Sequence, residues 1–148
     1  MKKIVFTAIL VFVCTSFFET SAQTTQKLVD LCNKVAGEEV TYLKDFYVEL
    51  DAAGPDGKAP QQKNTIILQK GTEYRFTICD AEGVDGKAMV QLYDMSKLYA
   101  STYIPATGQS VQYFNFQCQK TGPYHVFIQA IDGKKITSVA IMSLVRIL

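Results

Sequence analysis

The sequence predicts an antiparallel, all-β sandwich of about eight strands preceded by one short helix. Two observations lead there. The hydrophobic period is helical only once, near the N-terminus, and becomes two for nearly all of the chain after residue 37. The period-two runs are short, and turn-forming residues interrupt them at fairly even intervals, with Asp-Gly-Lys occurring at Asp56, Asp85 and Asp132.

The first segment reads as a secretory signal peptide over residues 1–22. Lys2 and Lys3 form a basic start, Ile4 to Phe18 is an apolar run short for a bilayer span, and Thr20-Ser21-Ala22 offers a small-residue cleavage site before Gln23. Cys14 would suit a lipoprotein signal, but the bulky Val13 before it does not. An ordinary exported chain starting at Gln23 is the expectation, in the periplasm or outside the cell.

Residues 23–39 form the helical segment. Leu28, Leu31, Cys32 and Val35 recur at helical spacing, which predicts one apolar face over Thr24–Ala36, stopped by Gly37. Residues 40–148 form the sandwich. Strands are expected at Tyr42–Leu50, Asn64–Gln69, Gly71–Asp80, Ala88–Asp94, Lys97–Ile104, Val111–Cys118 and Tyr124–Ile131, and a last one over Lys135–Leu148. The last run is apolar on both faces, as a covered strand should be.

Composition narrows the function classes. Removing residues 1–22 takes away Lys2, Lys3 and Glu19 and leaves basic and acidic residues equal in number. That balance gives no electrostatic reason to expect nucleic acid or an anionic membrane as partner. No second apolar stretch is long and charge-free enough to span a membrane. Cys32, Cys79 and Cys118 remain, an odd number in a disulfide-permissive compartment, at spacings that match no zinc pattern. One bridge is plausible, and Cys79–Cys118 is the pairing considered, since both lie late in predicted strands. Alternation sets Cys79 outward and Cys118 inward, which argues against it. Cys32 reads as a small buried hydrophobe.

Gly71, Tyr74, Phe76, Leu92, Asp94, Thr121, Gly122 and Tyr124 carry a pattern across residues 64–131. There a Gly-x-x-Tyr-x-Phe strand precedes x-Leu-x-Asp, and a late Thr-Gly-x-Tyr opens another strand. It resembles the pre-peptidase C-terminal type of bacterial jelly-roll domain. The resemblance implies a jelly-roll sandwich and a non-catalytic accessory role in a secreted protein, sometimes binding polysaccharide or matrix protein. The chain departs from such domains in its own N-terminal helix and in having no attached protease domain.

Catalytic readings are thin. Lys120-Thr121-Gly122 is a triplet of penicillin-recognising serine enzymes, but the Ser-x-x-Lys and Ser-Asp-Asn elements that chemistry needs are absent. Cys118 and His125, the only histidine, would face each other across a hairpin with a four-residue loop and could form a hydrolase dyad. A three-residue loop instead sets Cys118 opposite Val126 and gathers Phe114, Phe116, Cys118, Val126, Ile128 and Ala130 on one face, which burial favours. If the two strands lie in opposite sheets, neither register applies. Asp80, Glu82 and Asp85 form the densest acidic cluster but lack the alternating ligand spacing of a calcium loop. No cofactor or metal is expected.

Tyrosine placement gives the binding candidates. Alternation turns Tyr93, Tyr99, Tyr103 and Tyr113 outward among amide and hydroxyl neighbours, where rings suit sugar or peptide recognition or else shield sheet margins. The expected function is non-catalytic binding, with carbohydrate, peptide or envelope protein as partner. A structural or assembly role in the cell envelope is the alternative.

Overall fold

The computed structural model describes residues 20–148. The predicted signal peptide, Cys14 included, lies outside the described residues except for its last three positions. Those three begin helix α1 (Thr20–Ala36). Ten strands follow: β1 (Thr41–Leu50), β2 (Gln61–Leu68), β3 (Thr72–Asp80), β4 (Ala88–Asp94), β5 (Lys97–Ser101), β6 (Tyr103–Ile104), β7 (Gln109–Ser110), β8 (Tyr113–Cys118), β9 (Gly122–Ala130) and β10 (Ile136–Ile147).

Eight of these build two antiparallel four-stranded sheets, one in the order β1-β10-β3-β8 and the other β2-β9-β4-β5. Successive strands largely alternate between sheets, and this interleaved order is that of a jelly roll. The β6–β7 ribbon is a separate excursion between β5 and β8. The fold class read from the periodicity is the one observed.

Alternation explains the core. Phe46 and Val48 of β1, Phe76 of β3, Leu92 of β4, Ile128 of β9 and Ile136 of β10 all turn between the sheets and are almost wholly buried. Phe76 stacks on Phe114 with ring centroids 5.4 Å apart. Each such aliphatic or aromatic side chain contributes about 1.5–3 kcal/mol on burial. Among the described residues no helix is long and apolar enough to cross a membrane.

The outer face of the first sheet is covered by α1. Leu28, Val29 and Cys32 pack on Val139 and Ile141 of β10, and Ala36 is fully buried. The buried stripe is therefore Leu28, Val29, Cys32 and Ala36. The expected one was off by part of a turn, because Leu31 and Val35 stay exposed.

The structure corrects three further expectations. The bridge is Cys32–Cys79, with Cα atoms 5.7 Å apart, and Cys118 is a buried free thiol. Outward-facing Cys79 meets the helix laid on that face, whereas Cys118 pairs with Thr72 at the other end of β3 and points into the core. Next, β8 and β9 are no hairpin: they lie in different sheets, so neither the four-residue nor the three-residue loop register exists. Finally, the predicted Lys97–Ile104 strand divides into β5 and β6 around Thr102, whose buried N–H and hydroxyl both bond to Val90.

Candidate functional site

The exposed flank of α1 borders a concavity. It is lined by Leu31 and Val35 of α1, by Ile78–Glu82 at and just beyond the end of β3, and by the Ser110–Gln112 segment leading into β8. The space is about 570 Å³, within the range of ligand pockets. Leu31, Val35 and Val111 are 48%, 36% and 45% exposed, an aliphatic surface left open among the described residues. Lys27, Glu82 and Lys87 stand at the rim, so its charge is mixed.

Local chemistry fixes the helical side of the groove. The disulfide joins Cys32, about one turn from the C-terminal end of α1, to Cys79 in the groove lining. At the helix end, Gly37 takes φ +105° and its N–H bonds to Lys34 O at 3.2 Å, closing the C-terminus as glycine readily does. Arg75 of β3 completes the cap by donating from Nη1 to Ala36 O at 2.6 Å. The same guanidinium bonds to Glu39 Oε1 at 2.6 Å and from Nε to Asn115 Oδ1 at 2.8 Å, and it lies 4.2 Å from the Tyr113 ring centre. A main-chain hydrogen bond, and then Arg75, hold Glu39 below the usual carboxylate range.

Glu73 extends the network on the same face, accepting from Asn115 Nδ2 at 3.3 Å and from Arg146 Nε at 2.6 Å. Arg75 and Glu73 are both nearly buried. Arg75 Nε and Nη1 and both Glu73 oxygens bond to protein groups, which gives this cluster a positioning role: it ties α1, β3, β8 and β10 together.

Asp80 belongs to the groove lining but is engaged internally. Its Oδ1 accepts from Ser138 Oγ at 2.7 Å and from Ala88 N at 3.0 Å, and Oδ2 lies 4.0 Å from Lys87 Nζ. Among the described residues no group of three or more His, Cys, Asp or Glu side chains is arranged to hold a metal ion.

The residues nominated for catalysis separate. Cys118 Sγ sits inside the sandwich, 3.2 Å from Lys120 O and 3.6 Å from Tyr124 Oη. His125 Nδ1 lies 3.0 Å from Thr65 Oγ1, on the outer face of the other sheet. Lys120-Thr121-Gly122 forms the entry to β9: Tyr124 Oη donates to Lys120 O at 2.7 Å, and Lys70 N donates to Thr121 Oγ1 at 2.8 Å. Burial and contact with Cys118 push the Tyr124 hydroxyl well above the ordinary tyrosine range.

The four tyrosines do not share a surface. Tyr93 lies edge-on to Phe127 at 5.2 Å, outside the β2-β9-β4-β5 sheet. Tyr113 lies under Arg75 on the outside of the other sheet. Tyr103 belongs to the β6–β7 ribbon. Tyr99 departs from its expected outward facing. A register shift sets Leu92 opposite Ala100 and Tyr93 opposite Leu98, so Tyr99 is the extra residue of a bulge. Its ring packs against Phe116 and Tyr124 at 5.3 and 5.9 Å, and Asp94 accepts from its hydroxyl at 3.4 Å.

The groove was missed in the sequence because Leu31 and Val35 have the spacing of a buried face. Two extra apolar positions on a helix whose buried stripe needs only four were the available signal.

No family model matches the chain, and no curated protein matches its sequence. Among solved structures it is similar to the crystal structure of Aeromonas hydrophila PliG, a periplasmic lysozyme inhibitor of g-type lysozyme. The match covers 70% of this chain and 87% of that chain, at 8% sequence identity and a TM-score of 0.46.

Proposed function

We propose that this chain is an exported, non-catalytic binding protein that takes an aliphatic segment of a partner polypeptide in the groove beside α1. The observation that carries the reading is the exposed aliphatic wall of Leu31, Val35 and Val111 around a groove of about 570 Å³. Aliphatic walls bury aliphatic side chains, and the mixed rim of Lys27, Lys87 and Glu82 suits a polypeptide with side chains of both signs. Carbohydrate recognition wants converging aromatic faces, whereas Tyr93, Tyr99, Tyr103 and Tyr113 are dispersed over different surfaces. An accessory role agrees with what the pre-peptidase C-terminal resemblance implies.

Selection from a displayed peptide library tests the reading. Selected peptides should carry spaced aliphatic residues. Leu31→Glu and Val111→Glu, both at exposed positions, should each weaken their binding about tenfold or more, by placing a charge in an apolar contact. Peptides that bind both variants undiminished would remove the groove from the account. Glycan-array hits weakened by Tyr99→Ala or Tyr103→Ala would favour the carbohydrate reading instead.

A further inference from the structure

Four strands stand at sheet margins: β1 and β8 in one sheet, β2 and β5 in the other. A free margin presents unpaired N–H and C=O groups, and proteins blunt it with charge, bulges or proline. Three of the four do so. β1 carries Lys44, Asp45 and Glu49 and a register break between Tyr42 and Lys44. β2 carries Lys63. β5 begins at Lys97 and is bulged at Tyr99.

The fourth, β8, has none of these devices. Its six residues, Tyr-Phe-Asn-Phe-Gln-Cys, contain no charge and no proline, and they pair with β3 without interruption. Among the described residues, no main-chain group of Tyr113–Gln117 bonds to anything beyond the β3 ladder. The bond from Ile78 N to Gln112 O, 2.9 Å between directly opposed residues, sets the phase. By alternation, Phe114 and Phe116 bond toward β3, while Tyr113, Asn115 and Gln117 turn their N–H and C=O groups outward.

We propose that β8 is a self-association edge, on which β8 of a second copy of this chain adds antiparallel, joining the two β1-β10-β3-β8 sheets into one. The strand's own pattern selects this occupant. With Asn115 on the two-fold axis, Tyr113 lies opposite Gln117 of the second copy and Phe114 opposite Phe116. Aromatic residues then meet on the core-facing side, and hydroxyl and amide groups meet on the other. The outward groups of Tyr113, Asn115 and Gln117 are satisfied in each copy, giving roughly six main-chain hydrogen bonds. No like charges oppose the pairing. The strand is also ordered in advance: Arg75 and Glu73 hold both ends of the Asn115 amide, and Arg75 covers Tyr113. Little freedom remains to be lost on association.

Sedimentation velocity on the purified protein between about 5 and 200 µM tests this. The native chain should pass from monomer to dimer across that range. Gln117→Pro removes an outward N–H without breaking a β3 bond and should remain monomeric. Gln117→Lys places a charge on the margin at an exposed position and should weaken association about tenfold. Circular dichroism establishes that each variant is folded, and if the proline variant is not, the lysine variant decides. A native chain that stays monomeric throughout, including one whose β8 captures only a foreign strand, overturns the proposal. So does a dimer that persists unchanged in the folded variants.

Discussion

At the scale of single residues, Met95 shows what the β4–β5 turn demands. Asp94 pairs with Lys97, so Met95 and Ser96 form a two-residue connection, and Met95 takes φ +51° and is 87% exposed. Left-handed backbone costs a residue with a Cβ about 1–2 kcal/mol, and here no side-chain packing offsets it. Met95→Gly should therefore raise stability by about 1 kcal/mol in urea unfolding, less what glycine adds to unfolded-chain entropy. A loss of stability would show that the methionine makes a contact that matters. Single residues also mark where reading the sequence stopped short. "KLYASTYI" alternates without a break, and nothing in it signals the bulge that turns Tyr99 toward Phe116. A bulge depends on the partner strand's register, which a single segment does not carry.

At the scale of elements, α1 is the part whose position depends most on a few bonds. Apolar contact with Val139 and Ile141, the Arg75 cap on Ala36 and the Cys32–Cys79 bridge hold it. The bridge spans 47 residues, and a loop of that size restricts the unfolded chain by about 4 kcal/mol in the entropy model. Cys32→Ala with Cys79→Ala should lower stability by about 2–4 kcal/mol, with hydrogen exchange rising most in α1. Unchanged protection of α1 would mean that the apolar contacts and the cap suffice. The sequence showed the helix and nearly every strand, because local periodicity sets which faces are apolar. It did not show where the helix docks. Leu31 and Val35 share helical spacing with Leu28 and Cys32, and only the sheet's outer face decides which of them are covered. The disulfide and the groove were hidden for that same reason.

At the scale of the whole molecule, the tyrosines couple stability to alkaline pH. Burial raises Tyr124, Tyr99 and Tyr47 above the usual value, with further contributions from Cys118, Asp94 and Glu49 respectively, and a hydrogen bond to Asp45 raises Tyr42. A pKa raised by folding favours the folded state below the unfolded value near 10, and that advantage is lost as pH rises through the folded value. These groups should leave stability unchanged between about pH 7 and 9, and stability should fall above about pH 10. In an absorbance titration, fewer than the eight tyrosines should ionise before the far-ultraviolet dichroism collapses. Reversible ionisation of all eight in a folded chain would contradict this. Sheet assignment was the least legible feature at this scale. The Cys118 and His125 strands are neighbours in sequence, yet jelly-roll crossing places them in different sheets.

The bridge between α1 and β3 has a further consequence for how the chain meets a protease. Residues 32–79 form a covalently closed loop that contains β1, β2 and the exposed polar stretch between them. A single cut in that stretch breaks the backbone but releases no fragment, because both pieces stay joined through sulfur. The exposed stretch between β1 and β2 therefore lies in a disulfide-closed ring, where one cut opens the ring but two are needed to free any part of the chain.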